Sequence, residues 1–353
     1  MSLDAKPRIV YLLGAGASAQ TLPMVSQIPK ALEEHHQWLW GYAREAKARQ
    51  DMIEGKPETE RSKLLGEYLM IIDELKTGSA NHESIDTYAK KLYLRGKTIA
   101  ADRTKLIEMK IGLALFMAYL QAKKRTADKR YDGFLASLLT PTPGGTLTLP
   151  PDVLVLNWNY DQQLALSHAA YQHEGSLWGG VEQLGMRPLE MLAIRSHYPC
   201  RSVHLNGMFA YRADFDEIHP LVDWTTNNEE DLLNSMMLFY ARLRYSGKMG
   251  PGRLLLRFAW EVNENTVAAF KLLDEVLATC EALVVIGYSF PFFNREIDRE
   301  IVKRMPRLKH VYVQAPQKHA EEIARTVRTM NLPEGCEVEP YGNTDKFLLP
   351  PEL

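Results

Sequence analysis

The chain has 353 residues, enough for one large domain or two of moderate size. Its formal net charge of -2, with 46% hydrophobic and 24% charged residues, is ordinary for a globular protein and excludes a general electrostatic attraction to nucleic acid or anionic membrane. The three cysteines lie far apart and the first residues lack a signal-peptide pattern, which indicates reduced thiols in the cytoplasm rather than a zinc knuckle or a secreted chain.

The first predicted element is a strand over 8–13, a short apolar run with β-branched residues that two glycines follow. Gly14 allows the strand to turn sharply, and Gly16 removes a side chain where a ligand approaches the backbone. The N–H groups of a helix that begins here suit a phosphate. We therefore predict a dinucleotide-binding turn whose ligand contacts are Gly14, Ala15, Gly16 and Ser18. A tight turn without a ligand is the alternative.

Residues 26–136 are predicted to form an inserted helical module, because apolar residues recur at helical spacing, as in 64–75. The acidic pair Glu33 and Glu34 stands where the second strand of a dehydrogenase would end, but it lies in a predicted helix. Hydride transfer is therefore disfavoured. The most apolar stretch, 111–120, is too short to cross a bilayer and predicts a buried helix.

Strands and helices alternate after a loop rich in proline and glycine at 141–145. The further predicted strands are 153–156, 201–205, 282–286 and 310–313. This alternation predicts an α/β fold, a Rossmann-like doubly wound parallel sheet with the inserted helical module. The predicted domain limits are 1–25 with 137–353 for the sheet and 26–136 for the helices.

Ligands of such sheets bind beyond the carboxyl ends of the strands. Four predicted strand ends carry glycine or polar residues, at 14–18, 157–161, 204–207 and 287–294. Their convergence on one edge predicts a single ligand site, and the set is stronger evidence than any one motif.

These four motifs, taken in order, resemble the sirtuins, and most closely the prokaryotic branch that hydrolyses NAD. They are Gly14-Ala15-Gly16-Ala17-Ser18, Asn157-Trp158-Asn159-Tyr160-Asp161, His204-Leu205-Asn206-Gly207 and Gly287-Tyr288-Ser289-Phe290-Pro291. The resemblance covers most of the chain outside the helical module and the stretch 209–249. It implies a Rossmann-like domain that binds NAD.

The chemistry of NAD cleavage suits the middle motif. Nicotinamide leaves as a neutral molecule, so the difficult step is to stabilise the positive charge that develops on the ribose. An amide oxygen and a carboxylate meet that need. Asn159, which matches the asparagine of the family, is the predicted catalytic amide, and Asp161 is predicted to hold ribose hydroxyls or to fix Asn159. Capping of the next helix by both side chains is the alternative.

The third motif departs from the family, whose catalytic histidine directly precedes a glycine. That position is Asn206 here, and the histidine lies two residues earlier. Residues two apart in a strand face the same side, so we predict His204 as a general base and Asn206 as a ligand of ribose hydroxyls. A histidine of the core is the alternative, and it would leave NAD binding without base-assisted cleavage.

Gly287 and Ser289 of the second glycine turn are predicted to reach a ribose or phosphate from the opposite side of the cleft. Gln314 follows the last predicted strand, where family members contact the adenosine end. Sirtuin deacylases bind zinc through two close cysteine pairs, which this chain lacks. No metal is therefore expected, and deacylation ranks below NAD hydrolysis.

The resemblance implies a cytoplasmic NAD hydrolase that takes NAD as its substrate and releases nicotinamide and ADP-ribose. It further implies an effector of antiviral defence that forms a homo-oligomer and is restrained by a partner such as a HerA-type ATPase or a short Argonaute. Direct binding to nucleic acid or membrane is not expected. The alternative is a regulatory or scaffold subunit that binds NAD or ADP-ribose without cleavage, which the asparagine at 206 favours.

Overall fold

The structure, a computed structural model, describes residues 7–51, 60–124, 126–172, 176–192, 199–214, 217–220, 228–245 and 254–353. The chain forms two compact units. The first comprises Met1–Thr21, Thr126–Met208 and Arg257–Leu353, and the second comprises Leu22–Arg125 and Phe209–Leu256. Each unit is therefore assembled from separate stretches of the chain.

In chain order, the strands are β1 (Ile9–Leu13), β2 (Thr140–Pro141), β3 (Leu147–Thr148), β4 (Val153–Asn157), β5 (Met186–Pro188), β6 (Ser202–His204), β7 (Gly207–Asp214), β8 (Glu217–Pro220), β9 (Leu254–Leu256), β10 (Ala282–Ile286), β11 (His310–Gln314) and β12 (Glu337–Tyr341). The α-helices are α1 (Ile28–Asp51), α2 (Glu60–Asn81), α3 (Ile85–Gly96), α4 (Ala100–Lys124), α5 (Lys129–Leu138), α6 (Gln163–Ala169), α7 (Leu177–Gln183), α8 (Glu229–Tyr245), α9 (Glu264–Leu277), α10 (Arg295–Lys303) and α11 (Gln317–Arg328).

The first unit is built on a seven-stranded sheet with the order β12-β11-β10-β1-β4-β6-β5. Every neighbouring pair in this sheet is parallel. The chain places β4 on one side of β1 and β10 on the other, so the strand order changes direction at β1. This arrangement confirms the predicted α/β, Rossmann-like fold, and β1 lies where ligands of such sheets bind.

Both faces of the sheet are covered, which explains why its central strands are apolar throughout. Val10 and Leu12 of β1 belong to the core cluster that includes the apolar residues of α9, α10 and α11. Tyr11 points to the opposite face, where its ring centroid lies 4.9 Å from that of Phe134 in α5. Phe347, from the C-terminal segment, packs on α5 as well. A non-helical segment thus covers part of this face.

The second unit contains α1 to α4, α8 and a three-stranded sheet of order β8-β7-β9. The helices α2 and α4 approach closely, since a Cβ at Gly112 would lie 2.5 Å from Ile71. His35 is buried between helices, and its Nε2 lies 2.9 Å from the hydroxyl of Tyr68. Within the described residues, no helix combines the length and the apolar character that a membrane crossing requires.

The two units differ from the predicted domain limits in two places. Residues 126–136 belong to the first unit, because α5 packs against the sheet through Phe134. Residues 209–256 belong to the second unit, because β7, β8 and β9 form a small sheet of their own. The second unit therefore contains, besides the helices before residue 126, the stretch 209–256 with its strands.

Two edge strands were not predicted. β5 has only three residues, and β12 has the sequence Glu-Val-Glu-Pro-Tyr, of which only Val338 is buried. Short, charged and proline-containing strands are typical of sheet edges and carry little hydrophobic signal. The helix expected directly after the first glycine turn is also not found: Ala15–Ser18 is a single 3-10 turn, and α1 begins only at Ile28.

Candidate functional site

The four sequence motifs begin at one edge of the sheet. In the register of the sheet, Leu13 lies beside Asn157 on one side and beside Ile286 on the other. Asn157 lies beside His204, and Ile286 beside Gln314. Because all these strands are parallel, the residues that follow them emerge side by side. The register therefore brings the starts of the four motifs together at the carboxyl edge, as predicted.

The two glycine turns pack directly against each other. The N–H of Gly16 donates to the carbonyl of Gly287 at 2.9 Å. A Cβ at Gly16 would lie 2.6 Å from the Cα of Gly287, and a Cβ at Gly14 would lie 2.6 Å from the Cα of Tyr288. Gly287 has a φ of 61°, which favours glycine for a second reason. These glycines are thus required for the contact between the turns, whether or not a ligand is bound.

The first turn uses several of its own N–H groups inside the protein. Those of Gly14 and Ala17 donate to the carbonyls of Ile286 and Gly14, at 3.0 and 2.8 Å. The hydroxyl of Ser18 is buried, lies 3.3 Å from that of Tyr131 and lowers the pKa of the nearby carboxyl of Asp161. Fewer donors therefore remain for a phosphate than the motif suggests. The cofactor-binding roles of Gly14, Ala15, Gly16 and Ser18 stay predictions.

Asn159 lies at the centre of the edge and is held on two sides. Its amide nitrogen donates to the carbonyl of Gly14 at 2.9 Å, and its backbone N–H donates to the side-chain oxygen of Asn157 at 2.9 Å. The side chain is buried. The nitrogen of the amide is committed to the turn, so the hydrogen bond fixes the orientation of the whole amide; the catalytic role of Asn159 stays a prediction.

His204 is fully buried at the end of β6. Its Nδ1 lies 3.3 Å from the carbonyl of Asn159. A carbonyl only accepts, so Nδ1 carries the proton and Nε2 holds a lone pair. Among the described residues, Nε2 has no hydrogen-bond partner. Burial lowers the pKa of His204 from 6.5 to about 4, so the ring is neutral at pH 7 and is an acceptor rather than a strong base.

Asn206 does not continue the strand that holds His204. The strand β6 ends at His204, and a turn leads to Gly207, whose φ is 75°. Strand alternation therefore does not decide where Asn206 points. Its amide nitrogen donates to the carbonyl of Trp158 at 2.9 Å, while its buried side-chain oxygen has no partner among the described residues. This second unpaired acceptor suits a ligand that donates hydrogen bonds.

Asp161 is buried between the first turn and the start of α6. Its carboxylate accepts the backbone N–H of Gln163 at 3.1 Å, as in the predicted capping alternative. Desolvation raises the pKa of Asp161 to about 6, although the hydrogen bonds from Gln163 and Ser18 oppose this change. The carboxyl is therefore poised near neutral pH, which is characteristic of functional sites as well as of buried networks.

The second glycine turn is held by a buried tyrosine. The hydroxyl of Tyr288 donates to the carboxyl of Asp298 at 3.0 and 3.1 Å and accepts from the amide of Asn294 at 3.1 Å. Its ring stacks on Trp158 of the middle motif, with centroids 5.7 Å apart. Ser289, the predicted ribose or phosphate contact, is exposed. The stack links the second turn to the loop that carries Asn159.

Gln314 is committed to the C-terminal segment. Its amide nitrogen donates to the carbonyls of Asn343 and Lys346, both at 2.6 Å, and its oxygen accepts the N–H of Leu348 at 3.0 Å. The adenosine contact predicted for Gln314 would compete with these bonds. It stays a prediction.

Sequence reasoning did not single out Asp128 and Arg130, which the structure places behind the first glycine turn. They form a buried ion pair at 2.6 Å, and Arg130 also contacts the carbonyls of Gly16 and Ala17. The available signal was local: an aspartate directly before a helix predicts an N-cap. Asp128 does cap α5.

Among the described residues, one group of possible metal ligands is found: His310, Glu337 and Glu339. These residues lie at the start of β11 and on β12, and both glutamates are exposed. The group is outside the site described above, and its imidazole lies at ion-pair distance from both carboxylates.

No protein-family model matches the chain, and no curated protein matches it.

Proposed function

We propose that the chain is an NAD hydrolase that cleaves the bond between nicotinamide and ribose. The observation that carries the proposal is the hydrogen-bonded series at the carboxyl edge. Asn157 holds the backbone of Asn159, Asn159 is anchored to the first glycine turn, and the carbonyl of Asn159 sets the tautomer of His204. This series presents an oriented amide and an unpaired histidine lone pair where α/β sheets bind nucleotides.

Each side chain has a role that its geometry allows. The amide oxygen of Asn159 stabilises the positive charge that develops on the ribose as nicotinamide leaves. The lone pair on Nε2 of His204 accepts a hydrogen bond from a ribose hydroxyl or from the attacking water. The carboxyl of Asp161 fixes the first turn through Ser18 and adds negative charge near the site when it is ionised.

A second candidate is an NAD-binding subunit without catalysis. The specific observation in its favour is the complete burial of His204, which lowers its pKa to about 4 and makes it a weak base at neutral pH. The two unpaired acceptors, on His204 and Asn206, would still bind the hydroxyls of a ribose.

The wider setting is proposed from the motifs alone. It comprises a cytoplasmic effector of antiviral defence that forms a homo-oligomer, and a restraining partner such as a HerA-type ATPase or a short Argonaute. The test of this setting is co-purification of the tagged chain with its partners from cells, before and after phage infection.

The activity is tested by the release of nicotinamide from NAD by the purified protein. Asn159→Ala is expected to lower the rate at least about a hundredfold, the usual cost of removing a group that stabilises transition-state charge. Asn331→Ala, at an exposed asparagine, is the matched control and keeps the wild-type rate. His204→Ala shows whether the imidazole assists cleavage.

Three outcomes are distinguishable in this experiment. Nicotinamide release by the wild type that is lost in Asn159→Ala and kept in Asn331→Ala supports the hydrolase. No nicotinamide release by the wild type, together with measurable binding of ADP-ribose, contradicts the hydrolase and supports the binding subunit. Neither release nor binding would reject both.

A further inference from the structure

The first glycine turn lacks the support that a helix would give it. In a typical dinucleotide-binding turn, the following helix satisfies the turn's carbonyls through its own backbone hydrogen bonds. Here the 3-10 turn Ala15–Ser18 is followed by a chain that leaves the first unit after Thr21. The carbonyl of Gly16 accepts the N–H of Ala19 at 3.4 Å, which is a long hydrogen bond, so the end of this turn favours a further hydrogen-bond partner.

Arg130 supplies that partner. One N–H of its Nη2 is shared between the carbonyls of Gly16 and Ala17, at 3.0 and 3.1 Å, because the other N–H of this nitrogen points to Asp128. The same guanidinium donates to Asp128 through Nε at 2.9 Å and through Nη2 at 2.6 Å. Phe347 covers the guanidinium, whose carbon lies 5.3 Å from the ring centroid. The side chains of Arg130 and Asp128 are 6% and 0% exposed, so the arrangement is built into the interior.

Asp128 extends this support to the loop that carries Asn159. Its second carboxylate oxygen accepts the N–H of Gln20 at 3.1 Å, just beyond the turn. Its backbone N–H donates to the side chain of Gln163 at 2.6 Å, and the backbone N–H of Gln163 donates to Asp161. The hydroxyl of Ser18 lowers the pKa of the Asp161 carboxyl, so Asp161 lies near the turn. The series of contacts therefore runs from the turn through Arg130, Asp128 and Gln163 to the loop that carries Asn159.

We propose that Arg130, oriented by Asp128, is a positioning residue that holds the first glycine turn in place of the missing helix and couples it to the loop Asn159–Asp161. The consequence for the substrate rests on the proposed function: these contacts keep the turn in the shape that binds NAD, while Asn159 stabilises the charge that develops on the ribose.

The chemistry of arginine makes this assignment specific. A guanidinium offers several N–H donors in a rigid plane, so it serves two carbonyls and a carboxylate at once. A lysine at 130 would keep the charge and lose this geometry. Removal of either charged partner leaves the other buried and unpaired, which is costly.

The first test does not depend on NAD. Hydrogen–deuterium exchange is measured by mass spectrometry on wild type and Arg130→Lys. We expect faster exchange in peptides over 14–21 and 159–163, and unchanged exchange in the strand 310–314. Arg201→Lys is the matched control, because Arg201 is also buried but donates to Leu149 at the amino ends of the strands. Unchanged exchange over 14–21, or a uniform increase along the chain, overturns the proposal.

The second test separates binding from chemistry. Arg130→Lys is expected to raise the KM for NAD at least about tenfold, the cost of losing a hydrogen bond to a charged group, and to change kcat less than about threefold. Arg201→Lys changes neither constant. Guanidinium ion added to Arg130→Ala lowers the KM again, whereas methylammonium does not. An unchanged KM in Arg130→Lys, or no rescue of a folded Arg130→Ala, contradicts the positioning role.

The two failures can be told apart. If the wild type neither binds nor cleaves NAD, the proposed function is rejected, and the exchange measurement still decides on Arg130. If the wild type cleaves NAD and Arg130→Lys has wild-type constants and exchange, only the positioning role is rejected.

Discussion

His204 shows how burial changes what a residue can do. The sequence places a histidine near the site, but the structure buries its side chain, and its Nδ1–H donates to the carbonyl of Asn159. An imidazole with a pKa of about 4 orients a hydroxyl group well and removes a proton from it poorly. In the proposed hydrolase, His204 therefore serves as a hydrogen-bond acceptor rather than as a base.

The depressed pKa of His204 predicts a dependence of stability on pH. The unfolded state takes up a proton as the pH falls below 6.5, whereas folded His204 does so only near 4. Stability is therefore lost as the pH falls through this window, by about 3 kcal/mol for this group. Asp161 acts in the opposite direction, since its folded pKa of about 6 lies above the usual 3.8 and favours the folded state as the pH falls.

Variants separate these two opposing contributions. Between about pH 7 and about pH 4.5, His204→Asn is expected to lose less unfolding free energy than the wild type in urea titrations. Asp161→Asn is expected to lose more. His319→Asn, at an exposed histidine on α11, is the control. Equal pH slopes for His204→Asn and the wild type would show that His204 is not buried and neutral.

At the scale of elements, the contact between the two glycine turns brings the first and last motifs together. Each turn follows a neighbouring strand, β1 or β10, and glycine on both sides allows their backbones to touch. Two glycine motifs that lie far apart in the sequence therefore serve one contact. A methyl group added to a glycine of either turn would force the two backbones apart.

Gly16→Ala is expected to lower the unfolding free energy by more than about 1 kcal/mol and to abolish nicotinamide release, because its Cβ would lie 2.6 Å from the Cα of Gly287. Gly41→Ala in α1 is the matched control, since nothing lies within 4 Å of the added atom. That change is expected to stabilise the protein by about 0.5–1 kcal/mol through helix propensity. Urea titrations measure both, and a stable, active Gly16→Ala protein would contradict the contact.

The C-terminal segment is a second feature at this scale. It follows β12, binds the side chain of Gln314 and reaches α5 through Phe347, which contacts Tyr131 and Phe134. The segment thereby covers a face that doubly wound sheets usually cover with helices. Because Phe347 also covers the guanidinium of Arg130, the end of the chain supports the first glycine turn from behind.

At the scale of the whole molecule, all candidate site residues lie in the first unit. A ligand that binds only the folded state stabilises it by mass action. ADP-ribose at about a hundred times its dissociation constant is therefore expected to raise the unfolding free energy by about 2.7 kcal/mol. The shift is measured by scanning calorimetry, with ADP as the control because it lacks the second ribose. No shift with ADP-ribose at saturating concentration would argue against a site for this product.

The strands in the middle of the sheet were predictable because their signal is local. β1, β4 and β10 are largely apolar runs that are buried throughout, β11 carries two valines in its interior, and β6 is a short Ser-Val-His segment within the predicted strand 201–205. The edge strands β5 and β12 were not predictable, since one side of each is unpaired and their charged or proline residues resemble a loop. The compact units differ from the predicted domain limits where a helix, α5, packs against the sheet instead of its neighbours in sequence.

By itself the sequence determined the α/β class, the five inner strands and the four motifs that follow strand ends, because hydrophobic periodicity and turn chemistry are local. Only the tertiary structure decided which atoms those motifs use. Asn159 meets Gly14 across 145 residues of chain, and Arg130 meets Gly16 across 114. Such pairings depend on strand register and on how the chain returns to the sheet, which no short window of sequence contains. The tautomer of His204 and the support of the glycine turn by Arg130 therefore became visible only in the folded molecule.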